Sequence, residues 1–118
     1  DQVNKDTLIS LQVEKAKRFL TQADEMVEQA LDLAANRYYY ACFHAVQALF
    51  IAKGVNAHTH AGINTQFCLH FVKTGIVDIS YGSFLARMFQ LSKKPITTAP
   101  TKFPKMTSWK LLAYHTIL

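Results

Sequence analysis

The chain has 118 residues, half of them apolar, with eight Phe and five Tyr but only four Gly and three Pro. This length is typical of one domain, and so few turn-forming residues favour a few long helices over many short strands. The sequence contains no run of 18 apolar residues, so we predict no membrane span. We also see no basic and apolar leader of the kind that directs secretion. Cys42 and Cys68 lie in apolar helical patterns, which indicates buried free thiols. We therefore expect a cytoplasmic protein without a membrane segment.

The net charge of +5 is unevenly distributed along the chain. Residues 1–92 hold eight Lys and Arg against eight Asp and Glu, whereas residues 93–118 hold five Lys and no acidic residue. A basic tail can bind nucleic acid through its phosphates. The excess positive charge therefore lies in residues 93–118, and residues 1–92 have no net charge.

Apolar residues at three- and four-residue spacing predict a long amphipathic first helix over residues 7–30. A second helix is predicted over residues 33–53. It is apolar nearly all round, which is typical of a helix at the centre of a bundle or at an interface. Gly54 is a suitable C-terminal stop, and residues 54–60 are predicted to form a loop.

Two further helices are predicted, over residues 60–73 and over residues 79–91, with Gly75 ending the first of them. The connections between the four segments are short, which favours antiparallel neighbours. The predicted fold is therefore all-α, an antiparallel up-and-down bundle of four to five helices.

Arg37 and His44 interrupt the apolar second helix. They are seven residues apart, so two helical turns place them on one face about 10 Å apart along the axis. The pair suits metal-free RNA cleavage: His44 would transfer protons to or from the ribose 2′-hydroxyl and the leaving oxygen, and Arg37 would hold the phosphate. The spacing alone favours a structural alternative, in which Arg37 pairs with an acid of the first helix and His44 is a hydrogen-bonded core residue.

A family resemblance adds to this interpretation. It is carried by residues 36–45 (NRYYYACFHA), 53–55 (KGV), 59–63 (THAGI) and 70–75 (HFVKTG). The first segment resembles the Arg-(four to six residues)-His motif of the HEPN superfamily, here with six residues between. The four segments together resemble the small stand-alone bacterial and archaeal branch of that superfamily, over about residues 7–92.

The resemblance implies a bundle of about five helices that forms a homodimer through the helices carrying the motif. In active members, the Arg and His of both subunits form one composite ribonuclease site. Many members are toxins paired with a minimal nucleotidyltransferase antitoxin. We therefore expect a metal-independent endoribonuclease toxin that binds RNA, with Arg37 and His44 as catalytic residues and no cofactor.

Two departures from the family pattern keep other interpretations open. Tyr38 follows Arg37 where active members often have a polar residue, and Val46 stands two residues after His44 where one toxin branch has a Tyr. The main alternative is a non-catalytic HEPN module that binds a nucleotide or a nucleotidyltransferase partner. A third is a purely structural helical dimer.

Tyr40 and His60 are predicted to bind substrate. Tyr40 lies one helical turn from both Arg37 and His44. In the family a His recurs at the position of His60, before the third helix, as a cap or as part of the groove rim. His58 and His60 alone would make a poor zinc site, so we predict no metal.

The tail departs from the resemblance from about Pro95. Relatives continue with an acidic Asp-Tyr-Asp-like segment and a final acidic helix, whereas residues 95–101 are acid-free. Codons for residues 95–98, shifted by two nucleotides, permit Asp-Tyr-Asp, and those for residues 105–107 permit Asp-Asp. We therefore hypothesise that residues 1–118 form one HEPN-like domain in which a frameshift replaced residues 93–118. An intact reading frame shared by related genes would contradict this.

Overall fold

A computed structural model describes residues 2–93 of the chain. It contains α1 (Gln2–Met26), α2 (Leu31–Lys53), α3 (His60–Phe67), a π-helical turn (Cys68–Val72) that continues α3, and α4 (Ile79–Lys93). The described range holds no strand, so the predicted all-α class is confirmed. No helix in this range is both long and apolar enough to cross a membrane. Apart from Lys93, the tail of the frameshift hypothesis lies outside the described residues.

Helices α1 and α2 form an antiparallel hairpin. Gln12 contacts His44 near the middle of α2, and Asp24, twelve residues further along α1, contacts Tyr38, which lies earlier in α2. The buried face of α1 supplies Ile9, Val13, Ala16 and Ala23. Several Ala residues of α2 are buried as well, and their small side chains let helices approach closely.

The boundary between α1 and α2 differs from the prediction. α1 begins at Gln2 rather than at residue 7 and ends at Met26 rather than at residue 30. The chain leaves the helix through a turn in which the backbone N–H groups of Gln29 and Ala30 both donate to Met26 O. Ala30 has φ −149° and ψ 81°, which breaks the helical path. Because this turn contains neither Gly nor Pro, the sequence gives no local signal for it.

The centre of the bundle is α2, as its apolar sequence predicted. Twelve residues of this helix are buried. Phe50 near its C-terminal end stacks on Phe71 of the π-helical turn, with ring centroids 6.1 Å apart, and Phe71 in turn stacks on Phe67. Cys42 is buried and Cys68 is half-buried, and both are free thiols.

The segment predicted as one helix over residues 60–73 is α-helical only as far as Phe67. The last turn widens to π geometry where it meets α4. Gly82 of α4 is buried there, and a Cβ atom added to it would lie 3.1 Å from Cys68 Sγ. The absence of a side chain at Gly82 therefore allows α4 to approach this turn closely.

Gly54 ends α2 in the left-handed conformation that the sequence predicted, with φ 74°. We expect Gly54→Ala to lower the free energy of unfolding by about 1–2 kcal/mol, because L side chains are strained at positive φ. An added Cβ would meet nothing within 4 Å, so the cost is one of backbone conformation alone. Urea denaturation measures it. The exposed neighbour substitution Lys53→Ala is the control, and equal stability of the Gly54 variant and the wild type would contradict the expectation.

Candidate functional site

Arg37, Tyr40 and His44 of α2 meet at the aromatic ring of Phe19 on α1. The Arg37 Cζ atom lies 5.6 Å from the centroid of this ring, and the Tyr40 ring lies 5.8 Å from it. The His44 ring stacks on it at 5.4 Å, with an interplanar angle of only 6°. The structure thus brings together three of the four residues selected from the sequence, all against one aromatic ring of α1.

His44 is held by a hydrogen bond that it donates to α1. Its Nδ1 lies 2.7 Å from the side-chain oxygen Oε1 of Gln12. Because an amide oxygen only accepts, Nδ1 carries the proton and Nε2 keeps a free lone pair. The ring also packs edge-on against Phe43, with centroids 5.2 Å apart. In this tautomer Nε2 can accept a proton from a bound hydroxyl.

The pKa of His44 lies below its usual value of 6.5. Partial burial is the main cause, since it disfavours the charged imidazolium, and the positive charges of Lys15 and Arg18 add to it. The imidazole is therefore neutral at pH 7, which is the form that acts as a proton acceptor.

We expect Lys15→Gln and Arg18→Gln each to raise the pKa of His44 toward 6.5, because each removes a positive charge that opposes protonation. NMR titration of the His44 ring measures this. Lys17→Gln is the matched control. The positive charge of Lys17 is balanced by an ion pair with Glu14 at 3.4 Å, and it is not one of the charges that lower the His44 pKa. An unchanged His44 pKa in both test variants would contradict the assignment of the two charges.

The same shift makes stability depend on pH. The unfolded chain protonates His44 near pH 6.5, while the folded protein resists protonation until the pH reaches the lower folded pKa. The contribution of His44 to the free energy of unfolding is therefore complete above pH 6.5 and falls as the pH drops through the folded pKa. Urea denaturation at a series of pH values should show this loss, and the His44→Ala variant should lack it.

Arg37 keeps much of its hydrogen-bonding capacity. Its Nη1 donates to Asn36 Oδ1 at 3.0 Å, whereas its buried Nε has no hydrogen-bond partner among the described residues. The ion pair found in the described chain is that of Lys17 with Glu14, so Arg37 does not pair with an acid of α1 as the structural alternative required. A guanidinium in this position can receive a phosphate or carboxylate.

His60 occupies a different place from the other three predicted residues. It is the first residue of α3, and the cap of that helix is Thr59, whose Oγ1 accepts from Gly62 N at 2.9 Å. The His60 ring lies 6.3 Å from Phe43, which in turn contacts His44. His60 therefore lies beside Phe43, at the edge of the group of aromatic rings around Phe19, and its ring reaches His44 through Phe43.

Tyr39 of α2 connects that helix to His60. Its hydroxyl is hydrogen-bonded to His60 Nδ1. Burial, with smaller effects of Tyr40 and Cys42, raises the pKa of Tyr39 to about 12, so its hydroxyl stays protonated. This bond fixes the start of α3 beside the middle of α2. Within residues 2–93, no group of three His, Cys, Asp or Glu side chains is placed to hold a metal ion.

Phe19 and Gln12 are the residues of this site that sequence analysis missed. Phe19 belongs to the apolar stripe that predicts α1, and nothing in the sequence separates it from the core residues of that stripe. Gln12 leaves a weak signal: it is a polar residue four positions before the buried Ala16 and seven before Phe19, at the edge of the same stripe.

Comparisons with known proteins identify the family. The HEPN domain family matches residues 9–95. A Thermotoga maritima protein named "UPF0332 protein" is 38% identical over 90 residues, which cover 75% of this chain and 68% of the relative. A Methanocaldococcus jannaschii protein named "Putative toxin" is 34% identical over 105 residues, which cover 85% of this chain and 78% of the relative. The chain belongs to the HEPN domain family, as its sequence motifs predicted.

Proposed function

We propose that the protein is a metal-independent endoribonuclease that acts as the toxin of a toxin–antitoxin pair. The observation that carries this proposal is the meeting, at the ring of Phe19, of a neutral His44 with Nε2 free and of an Arg37 that has no carboxylate partner among residues 2–93. One group can accept a proton and the other can hold a phosphate. RNA supplies its own nucleophile, the 2′-hydroxyl, so this chemistry needs no metal.

In the proposed reaction, His44 Nε2 takes the proton of the 2′-hydroxyl as its oxygen attacks the adjacent phosphorus. The Arg37 guanidinium stabilises the negative charge that builds on the phosphate oxygens. The bond from phosphorus to the 5′-oxygen then breaks, and the His44 imidazolium formed in the first step gives that oxygen its proton. The products are a 2′,3′-cyclic phosphate and a 5′-hydroxyl.

A homodimer suits this reaction, because a second Arg37 would add positive charge beside the phosphate. Two copies of the chain would supply two His44 and two Arg37 side chains to one composite site, as the family resemblance implies. In this proposal, Tyr40 and His60 bind the substrate on either side of Phe43, through stacking on bases and hydrogen bonds at their edges.

The toxin role is supported by the names of two Methanocaldococcus jannaschii relatives, both "Putative toxin"; the second is 30% identical over 74 residues, covering 62% of this chain and 50% of that relative. A toxin requires a neutralising partner, and the family resemblance points to a minimal nucleotidyltransferase. Co-expression of a neighbouring nucleotidyltransferase gene should relieve growth arrest that this chain causes.

One observation favours a second candidate, a non-catalytic HEPN module that binds a nucleotide or a nucleotidyltransferase. Tyr38 replaces the polar residue that often follows the Arg in active members. It is buried, and its hydroxyl donates to Asp24 Oδ1 at 2.7 Å. The position that follows Arg37 therefore contributes no polar group to the Phe19 site.

Cleavage of a labelled RNA pool in the presence of EDTA separates the two candidates. The ribonuclease proposal expects 2′,3′-cyclic phosphate ends from the purified full chain under these conditions. The oligomeric state is measured on the same sample by light scattering. A dimer that leaves the RNA intact would overturn the ribonuclease proposal and favour the binding module.

A further inference from the structure

Two basic residues of α1, Lys15 and Arg18, form a basic strip beside the Phe19 site. Lys15 lies three residues after Gln12 and four before Phe19, so it is one helical turn from each. Both of these neighbours contact His44. Arg18 lies one turn beyond Lys15, about 4.5 Å further along the helix axis. Both residues of the strip are exposed, so solvent and ligands can reach them.

Among the described residues, no acid pairs with the basic strip. The ion pair found there is that of Lys17 with Glu14. Glu14 also lies one turn before Arg18, but its carboxylate accepts from Lys17. The positive charges of Lys15 and Arg18 act on His44 and help to lower its pKa, which agrees with their place beside that ring. The strip can therefore receive an anionic ligand next to the site.

Positive charge is concentrated here in a domain that is neutral as a whole. Residues 1–92 hold eight basic and eight acidic residues, whereas three of the four charged residues in residues 7–23 are basic. Arg37 of α2 adds a third cation that forms no ion pair among residues 2–93. A local excess of one charge in a neutral domain attracts a ligand of the opposite charge.

Aromatic rings lie beside these cations. The half-buried ring of Tyr40 lies 5.8 Å from Phe19 and 6.1 Å from Phe43, and its contact with Phe43 is edge-on. Basic side chains next to aromatic rings are typical of surfaces that bind single-stranded nucleic acid, because the backbone follows the charges while bases stack on the rings. The bases of a duplex are stacked on one another and do not reach such rings.

We propose that Lys15 and Arg18 bind the phosphates that neighbour the cleaved phosphate of a single RNA strand. Arg37 holds the cleaved phosphate in the proposed reaction, so each of the three cations receives one phosphate of the strand. The place of the cleaved phosphate rests on the proposed ribonuclease function. The binding of a single strand by the basic strip does not depend on cleavage.

Binding of a labelled DNA strand of about eight nucleotides to the full chain tests the basic strip, because DNA lacks the 2′-hydroxyl and is not cleaved. Fluorescence anisotropy is measured at several salt concentrations and at about pH 8, where His44 is neutral. Each phosphate contact on a single strand contributes about 0.7 to the slope of log affinity against log salt. We expect Lys15→Gln and Arg18→Gln each to remove about this much, which is about five-fold in affinity at 0.1 M salt.

Three control variants accompany this measurement. Lys73→Gln and Arg87→Gln make the same chemical changes at exposed positions outside α1 and should keep the wild-type slope. Lys15→Arg retains the positive charge and should also keep it. A wild-type slope in both test variants, or an equal loss of slope in Lys73→Gln and Arg87→Gln, would overturn the proposal. A change of oligomeric state by light scattering, in place of a change in slope, would overturn it as well.

The type of ligand is tested with two competitors. A DNA duplex of the same sequence and a polyglutamate peptide of the same charge should each displace the labelled strand less well than the unlabelled strand does. Equal displacement by the duplex would overturn the single-strand assignment, and equal displacement by the peptide would overturn the assignment to nucleic acid.

The basic strip and the ribonuclease fail in different ways. A reduced slope in both test variants of a protein that cleaves no RNA would support the strip and overturn the ribonuclease. Cleavage of RNA with a kcat/KM that neither Lys15→Gln nor Arg18→Gln changes at about pH 8, together with wild-type slopes, would overturn the strip and leave the ribonuclease intact.

Discussion

His44→Ala is expected to lower the rate of RNA cleavage by about 100- to 10,000-fold, which is the range for loss of a general acid or base. The substitution removes the Nε2 lone pair that the Gln12 hydrogen bond leaves free. It also removes the ring that stacks on Phe19, but His44 is only half-buried, so we expect the helices to persist. Initial rates on labelled RNA in EDTA measure the first effect, and circular dichroism the second.

The control for this variant is His70→Ala. His70 is also half-buried and also bonded to a Gln side chain, Gln66, at 3.0 Å, but it lies in the π-helical turn. The His70→Ala variant should cleave RNA at the wild-type rate. A folded His44→Ala protein that retains the wild-type rate would exclude His44 as the base. A Gln12→Leu variant should fall between the two, because His44 is still present but its tautomer is no longer fixed.

The candidate site residues on α2 could be predicted because all of them lie within two turns of one helix. Arg37, Tyr40 and His44 lie at three-, four- and seven-residue spacing, and helical periodicity alone puts them on one face. The apolar run of α2 and Gly54 at its end are local signals of the same kind. These features do not depend on how the helices pack, so the sequence was sufficient to predict them.

The contributions of α1 could not be predicted in this way. Phe19 and Gln12 reach His44 only because α1 and α2 pack antiparallel in one register, and many registers are compatible with the same apolar stripe. The charges of Lys15 and Arg18 act on the His44 pKa through that register as well. The sequence shows the residue types, but only the packed hairpin shows that they share one site.

The third helix shows a similar limit. The change from α to π geometry after Phe67 occurs where Gly82 of another helix approaches Cys68. A cavity of about 290 Å³ between α2, α3 and α4 likewise depends on three helices at once. Features that require contacts between distant segments have no signature in local spacing, and this is why the cavity was absent from the predictions while Arg37 and His44 were among them.

Arg37→Ala is expected to lower the rate constant of RNA cleavage by about 100- to 1,000-fold, as for loss of one donor to a developing negative charge. Arg37→Lys should recover part of this, because it restores the charge but not the planar guanidinium that lies against Phe19. Arg87→Ala, at an exposed position of α4, is the control and should leave the rate unchanged.

The kinetic pattern of the Arg37 variant distinguishes its possible roles. Loss of transition-state stabilisation lowers kcat and kcat/KM together, whereas loss of simple phosphate binding raises KM and leaves kcat unchanged. We expect the first pattern, because Arg37 forms no ion pair among the described residues and its positive charge attracts the phosphate more strongly as negative charge builds on the phosphate oxygens. If Arg37→Ala instead dissociates the proposed homodimer and leaves cleavage by the remaining dimer at the wild-type rate, Arg37 acts at the interface of that dimer and the catalytic assignment is wrong.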